Sequence, residues 1–190
     1  MKVVKGKTLH AVERHTEYRG CTFYLEGSHC LDDCVFENCS FRGELHYVES
    51  NEKIRTPVFS NCSFNCKSVL IDSIESYQMI PVPGMEKLLE LANEIKITPL
   101  WDSQEKINIE LDLPEIKTID ISACKSYSEI PIDWFDRFPT LEKVILPFGL
   151  NLVATLREFP PEERIKFKAF YEKSKGYALC RNTQKEDTCE

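Results

Sequence analysis

Glycine is scarce in this chain. Only seven of its 190 residues are Gly. Neither G-x-G-x-x-G nor G-x-x-x-x-G-K-[ST] occurs, which excludes the two common phosphate-cradling loops and makes nucleotide chemistry a poor fit. Histidine is scarcer still. The four are His10, His15, His29 and His46, all in the first quarter of the chain, so a Cys–His pair farther along has no imidazole near it in sequence. Long apolar runs are missing too. The leading segment "MKVVKGKTLHAVERH" lacks the apolar stretch of a secretory signal, and no window approaches the ~20 apolar residues of a membrane helix. The expectation is a cytoplasmic, intracellular protein with no membrane partner.

An excess of positive charge is also lacking. The chain carries 24 Lys and Arg against 31 Asp and Glu, a net charge of -7, so no direct nucleic-acid partner is expected. The acidity is uneven. Residues 1–78 hold 9 basic and 11 acidic side chains, residues 79–159 hold 8 and 14, and residues 160–190 hold 7 and 6. Hydrophobic content of 42% and charged content of 29% are those of an ordinary globular domain.

Cysteine, by contrast, is abundant. Nine thiols in a chain without a secretory signal read mostly as small buried hydrophobes, and an odd number cannot pair completely. They sit in a recurring phrase: "YRGCTF" from Tyr18, "FENCSF" from Phe36 and "FSNCSF" from Phe59. Around it runs a period of five, through Leu31, Phe36 and Phe41 and through Ile54, Phe59, Phe64, Val69 and Ile74, with Cys34, Cys39 and Cys62 two residues before a large side chain. An offset of two places both side chains on one face of a strand. This pattern resembles the pentapeptide-repeat β-helix over about 45 residues, interrupted around Glu49–Arg55.

Farther on, "LELANEIKI" from Leu89, "LPEIKTIDI" from Leu113 and "FPTLEKVIL" from Phe138 repeat at spacings of 24 and 25. Each ends in a short alternating strand: Ile95 and Ile97, Ile119 and Ile121, Val144 and Leu146. The region from Leu88 to Phe148 resembles the leucine-rich repeat, whose period is roughly 20–29 residues. In that resemblance Cys124 takes the Asn/Cys position after the strand, "WFDRFPTL" takes the return segment, and Leu100 departs from the pattern. The same phase is expected upstream, with Val69 and Ile71 stacked on Ile95 and Ile97, Leu45 and Tyr47 on Val69 and Ile71, and Cys21 and Phe23 at the start.

The expected fold is an α/β repeat solenoid of short parallel strands stacked at a period of 24–25 residues. Residues 1–78 form a Cys/Phe-rich, β-helix-like part, residues 79–159 a leucine-rich-repeat-like part, and residues 160–190 a capping helix and mobile tail, in one continuous solenoid. Pro161, Glu162 and Glu163, then Lys173 and Lys175, then Gly176 carry the helix signals of that cap. A shorter helix is expected near Met85–Asn93.

Three chemical readings compete with plain packing. Cys30 and Cys34, and Cys62 and Cys66, have three residues between them, with Cys39, His29 and His46 nearby. Zinc takes four such ligands, but this spacing is less specific than C-x-x-C, and thiols lining a strand interior are the preferred reading, with no cofactor expected. Cys124 is a candidate nucleophile without a histidine. Glu110, Asp112, Asp120, Asp133 and Asp136 are candidates for paired-carboxylate catalysis, although acidic side chains on a solvated face are far commoner. Trp101 and Trp134 are candidate interface anchors if exposed.

The function expected is a non-enzymatic protein-binding scaffold, an inhibitor or adaptor of the effector type, because leucine-rich repeat proteins bind partners across the concave strand face. The outward strand residues would be Lys96, Thr118, Asp120, Ser122, Lys143 and Ile145. The alternatives are an acidic decoy that mimics nucleic acid, as some pentapeptide-repeat proteins do, and an enzyme using the carboxylate cluster. An open solenoid edge also invites a dimer. Elemental analysis of the purified protein should find no stoichiometric zinc, and an equimolar content would reverse the reading of the cysteines.

Overall fold

The computed structural model describes residues 1–48, 57–75, 78–79, 86–98, 107–109, 112–124, 132–148, 150, 156–157, 159–172 and 176–182. The first third is a run of strands: β1 (Lys2–Lys5), β2 (Thr8–Leu9), β3 (Thr16–Arg19), β4 (Thr22–Leu25), β5 (Ser28–His29), β6 (Val35–Glu37), β7 (Ser40–Val48), β8 (Val58–Ser60) and β9 (Ser63–Glu75). After them come β10 (Gln78–Met79), α1 (Glu86–Leu91), β11 (Glu94–Thr98), β12 (Asn108–Ile109), β13 (Thr118–Asp120) and α2 (Asp133–Arg137). The chain ends with β14 (Lys143–Ile145), α3 (Pro161–Arg164), β15 (Phe167–Glu172) and β16 (Gly176–Arg181).

The molecule is mostly β-sheet, largely parallel, with few and short helices. One sheet has the order β1-β3-β6-β8, and a ten-stranded sheet contains β15-β16-β14-β13-β11-β9-β7-β4-β2, with β5 beside β7. Both are open, so no barrel closes. A small parallel pair, β10 with β12, completes the set.

The cysteine phrase marks the passage from one sheet to the other. The chain turns at Gly6, Gly20, Asn38 and Asn61, where φ is 58°, 58°, 53° and 51°. Left-handed backbone is free to Gly and cheapest for Asn among the rest, which is why the phrase has Gly or Asn at its centre. Gly6 belongs to a fourth copy, "VKGKTL" from Val4 to Leu9. It has no cysteine and no aromatic, so it is hard to see in the sequence. Before each turn an apolar residue points inward from the first sheet, and three residues after it a second points inward from the other.

Parallel in-register pairing then sets like on like. Tyr18 pairs with Phe36 and Phe36 with Phe59, and Phe23 pairs with Phe41 and Phe41 with Phe64. The rings form two columns. Tyr18, Phe36 and Phe59 stack at 5.3 and 5.1 Å, and Phe23, Phe41 and Phe64 at 4.9 and 4.9 Å, all within 9° of parallel. Between the columns the rings meet edge to face, as Phe36 and Phe41 do at 5.1 Å and 73°. Each such contact adds about 0.5–1.5 kcal/mol beyond burial.

One glycine has a steric role. Gly43 in β7 has φ +91°, and a Cβ there would lie 2.3 Å from the Leu25 carbonyl oxygen. The β7–β9 register shifts immediately after it. There the sheet changes from the aromatic rows to an aliphatic row, in which Ile71 pairs with Ile95, Ile95 with Ile119 and Ile119 with Val144.

Three expectations need correction. Leu45 does pair with Val69 and Tyr47 with Ile71. But Ile95 lies against Ile71 rather than Val69, and a register irregularity follows it. Phe23 pairs with Phe41, not with Tyr47, because the turn at Asn38 brings the start of β7 beside β4. The third correction is the capping helix. Pro161, Glu162 and Glu163 do open a helix, but it ends at Arg164. The chain then forms the antiparallel hairpin β15–β16, with β16 paired to β14. Phe167, Ala169 and Tyr171 fall on one face at the strand period, and the open edge of β14 supplies backbone partners that an isolated helix would leave unmet. Gly176, at φ +96°, begins the second hairpin strand instead of ending a helix. The expected tail beyond Asn182 lies outside the described residues.

Phe41→Ala should lower stability by about 3–5 kcal/mol. Phe64→Ala, half-buried at the end of its column, should cost clearly less. Urea denaturation midpoints of the two variants check this order.

Candidate protein-interaction surface

Strands β11, β13 and β14 bring five of the expected site residues into two rows, together with Glu94, which was not expected there. Glu94, Thr118 and Lys143 form one, and Lys96, Asp120 and Ile145 form the other. Ser122 lies just beyond β13, and its backbone N–H donates to Asp120 Oδ1 at 2.9 Å. Lys96, Thr118, Ser122 and Lys143 are half-buried. Asp120 and Ile145 are not available as expected: they are 4% and 0% exposed. Asp120 turns onto its own chain at the Ser122 N–H, an Asx-type arrangement. Ile145 sits inside the sheet between Asp120 and the fully buried Ala178.

Cys21, Cys39, Cys62 and Cys124 pack against the core and are hydrogen-bonded. Cys21 Sγ donates to the Val4 carbonyl at 3.6 Å, Cys39 to Tyr18 at 3.5 Å and Cys62 to Phe36 at 3.4 Å. Each thiol thus reaches the layer before its own. Cys124 does the same toward the Ile97 carbonyl at 3.5 Å. The four zinc candidates are placed apart in their contacts. Cys34 donates to the Glu13 carbonyl, Cys30 to Asp32 Oδ2, Cys62 to Phe36, and Cys66 lies on β9 next to the Gly43 row. Among the described residues no group of three or more His, Cys, Asp and Glu is placed to hold a metal ion.

The acidic candidates are spread over different elements. Asp120 is buried on β13, Asp133 and Asp136 are exposed on α2, Asp112 is exposed before Leu113, and Glu110 lies outside the described residues. Trp101 also lies outside them. Trp134 and Phe135 are both buried, at 3% and 2%, so neither is an exposed anchor.

Two features escaped sequence reasoning. Asp32 is buried and accepts a 2.6 Å hydrogen bond from Tyr47 Oη as well as the Cys30 thiol at 3.3 Å. No local pattern joins residues 15 positions apart. The second feature is a set of exposed apolar side chains at the hairpin: Phe148, Ile165, Phe170, Tyr171 and Tyr177. The alternation in "FKAFYE" signals a strand there, but the stronger helix signals ahead of it masked this.

Family profiles, curated proteins and solved structures were compared with this chain, and none matches it. Among the described residues no helix is long and apolar enough to cross a membrane.

Burial pushes the Cys39 thiol from its ordinary 9.0 up to about 11. Burial, with the charge of Asp120 adding, does the same to Cys124. Cys30, Cys34, Cys62 and Cys66 shift in the same direction, burial being the largest cause. Above pH 9 the unfolded chain therefore loses thiol protons that the folded chain keeps, and stability falls with rising pH. The contribution is intact below about pH 9 and is lost as pH rises through about 11. Urea midpoints should decline across that window, and Cys39→Ala/Cys124→Ala should decline less steeply than the parent.

Proposed function

We propose that this chain is a non-enzymatic protein-binding scaffold, a solenoid that merges a Cys/Phe-rich part with leucine-rich-repeat-like layers. The observation that carries the reading is the in-register alignment of β11, β13 and β14, which sets half-exposed Lys96, Thr118 and Lys143, with Ser122 at the strand end, on one continuous surface. Parallel strands repeat their side chains at a spacing of about 4.8 Å, so an extended or flat partner meets a regular row of donors and charges. With Asp120 and Ile145 buried, the half-exposed charges on these strands are Lys96, Lys143 and Glu94, a surface more basic than the chain as a whole, and an acidic protein surface suits it.

Other features agree with a binding role over catalysis. The thiols of Cys39, Cys62 and Cys124 are hydrogen-bonded to backbone carbonyls, and burial holds them protonated, which removes nucleophilic character. The described cysteines are free thiols, in keeping with a reducing, intracellular setting.

The test compares capture by the parent and by Lys96→Glu/Lys143→Glu from native lysate, with circular dichroism to establish that both are folded. The partner's affinity for the variant should fall by about tenfold or more. Equal affinity would remove the strand face from the proposal.

A further inference from the structure

The two ends of the strand array differ in what they offer to another chain. At the N-terminal end, β1 carries Lys2 and Lys5, and Lys7 immediately precedes β2, all exposed. A second copy pairing there would set lysine near lysine, the usual protection of an open edge.

The other end is β15. On one side it pairs with β16 along its whole length, from Phe167 opposite Arg181 to Glu172 opposite Gly176. On the other side no strand accompanies it among the described residues. The end is apolar and exposed: Phe170 is 59% exposed, Tyr171 53% and Ile165 70%. Tyr171 and Tyr177 meet at 5.2 Å, and the side chain of Phe148 lies near Gly176. Lone exposed apolar residues are ordinary, but Phe170 and Tyr171 on the edge strand with three more beside it form a group that marks an interaction site.

The order of residues in β15 names the occupant. Antiparallel strands related by a twofold axis through Phe170 place Phe170 opposite Phe170 of the other copy. Ala169 then falls opposite Tyr171, and Lys168 opposite the position of Glu172. By symmetry the Lys–Glu apposition occurs twice, on the face that carries Phe170, and the Ala169–Tyr171 pairs fall on the opposite face, as the strand alternation requires. Among the described strand edges this one is complementary to itself in charge and in apolar pattern.

We propose that β15 pairs antiparallel with β15 of a second copy, so that two chains form a twofold dimer with one continuous sheet. The interface is separate from the row at Lys96 and Lys143, so the dimer and the partner-binding reading stand or fall independently. Because the contact is one strand pair with its flanking rings, it belongs among small interfaces. Dimerisation is therefore expected to depend on concentration.

Sedimentation velocity of the full chain tests this, over a series reaching about 100 μM, where loose dimers populate. A shift from the 22.0 kDa species toward twice that mass is expected. Lys168→Glu alone should weaken the dimer by about tenfold, since it makes two like-charge appositions, and so should Glu172→Lys alone. The double exchange Lys168→Glu/Glu172→Lys restores opposite charges and should restore the dimer. Circular dichroism on all variants shows whether each is folded. A monomer at every concentration overturns the proposal. So does a dimer that is indifferent to the single changes, or one that the double exchange fails to rescue.

Discussion

Each layer of this chain buries its large apolar side chains chiefly against the equivalent side chains of the next layer. No single layer encloses a core. The two aromatic columns show the constraint most clearly: Phe41 is covered by Phe23 on one side, by Phe64 on the other, and edge-on by Phe36 and Phe59. In-register parallel pairing is what makes this work, because a slip of one residue would turn every ring outward. The turns at Gly20, Asn38 and Asn61 serve the same end. Their left-handed backbone keeps both inward rows in step from layer to layer.

The cysteines follow from this geometry. Just after each turn the side chain lies within hydrogen-bond reach of a carbonyl of the preceding layer. A thiol is small, tolerates burial and donates weakly to that oxygen. Cys21, Cys39 and Cys62 occupy this place in three consecutive layers, and Lys7 stands at the corresponding exposed position in the first.

The two ends of the stack are finished by different means. The first layers end in charged strands. At the far end Arg181 completes the last layer: its guanidinium donates to the Leu141 carbonyl at 3.1 Å and to Phe135 at 2.7 Å, and lies over the Phe135 ring at 5.5 Å. Charge-assisted donors suit carbonyls that have no following layer. The hairpin carrying Arg181 covers β14 but presents β15 as a new edge, so closing one end created another surface.

Repeats were legible in the sequence wherever a residue type recurred at a constant place in a layer. The phrases at Tyr18, Phe36 and Phe59 and the aliphatic strands at Ile95, Ile119 and Val144 are of that kind. The copy at Val4 was not, because it keeps the turn and two inward aliphatic residues, Val4 and Leu9, but neither the cysteine nor the aromatics. The strand-face residues were assigned by alternation, which is reliable for direction but silent about cover. Lys96, Thr118 and Lys143 are half-exposed, whereas Asp120 and Ile145, which share the row of Lys96, are buried. The Asp32–Tyr47 hydrogen bond had no local signature at all.

The sequence by itself determined which residues could be stacked and where the chain could turn, since periodicity and left-handed backbone preference are local properties. Tertiary structure alone decided the register between layers, the burial of Asp120 and Ile145, and the conversion of the expected capping helix into a hairpin. Those outcomes depend on which backbone groups and side chains a distant segment leaves unmet. For Phe167–Glu172 the deciding partner was β16, which itself lies on the open edge of β14, a feature that exists only once the preceding layers have folded.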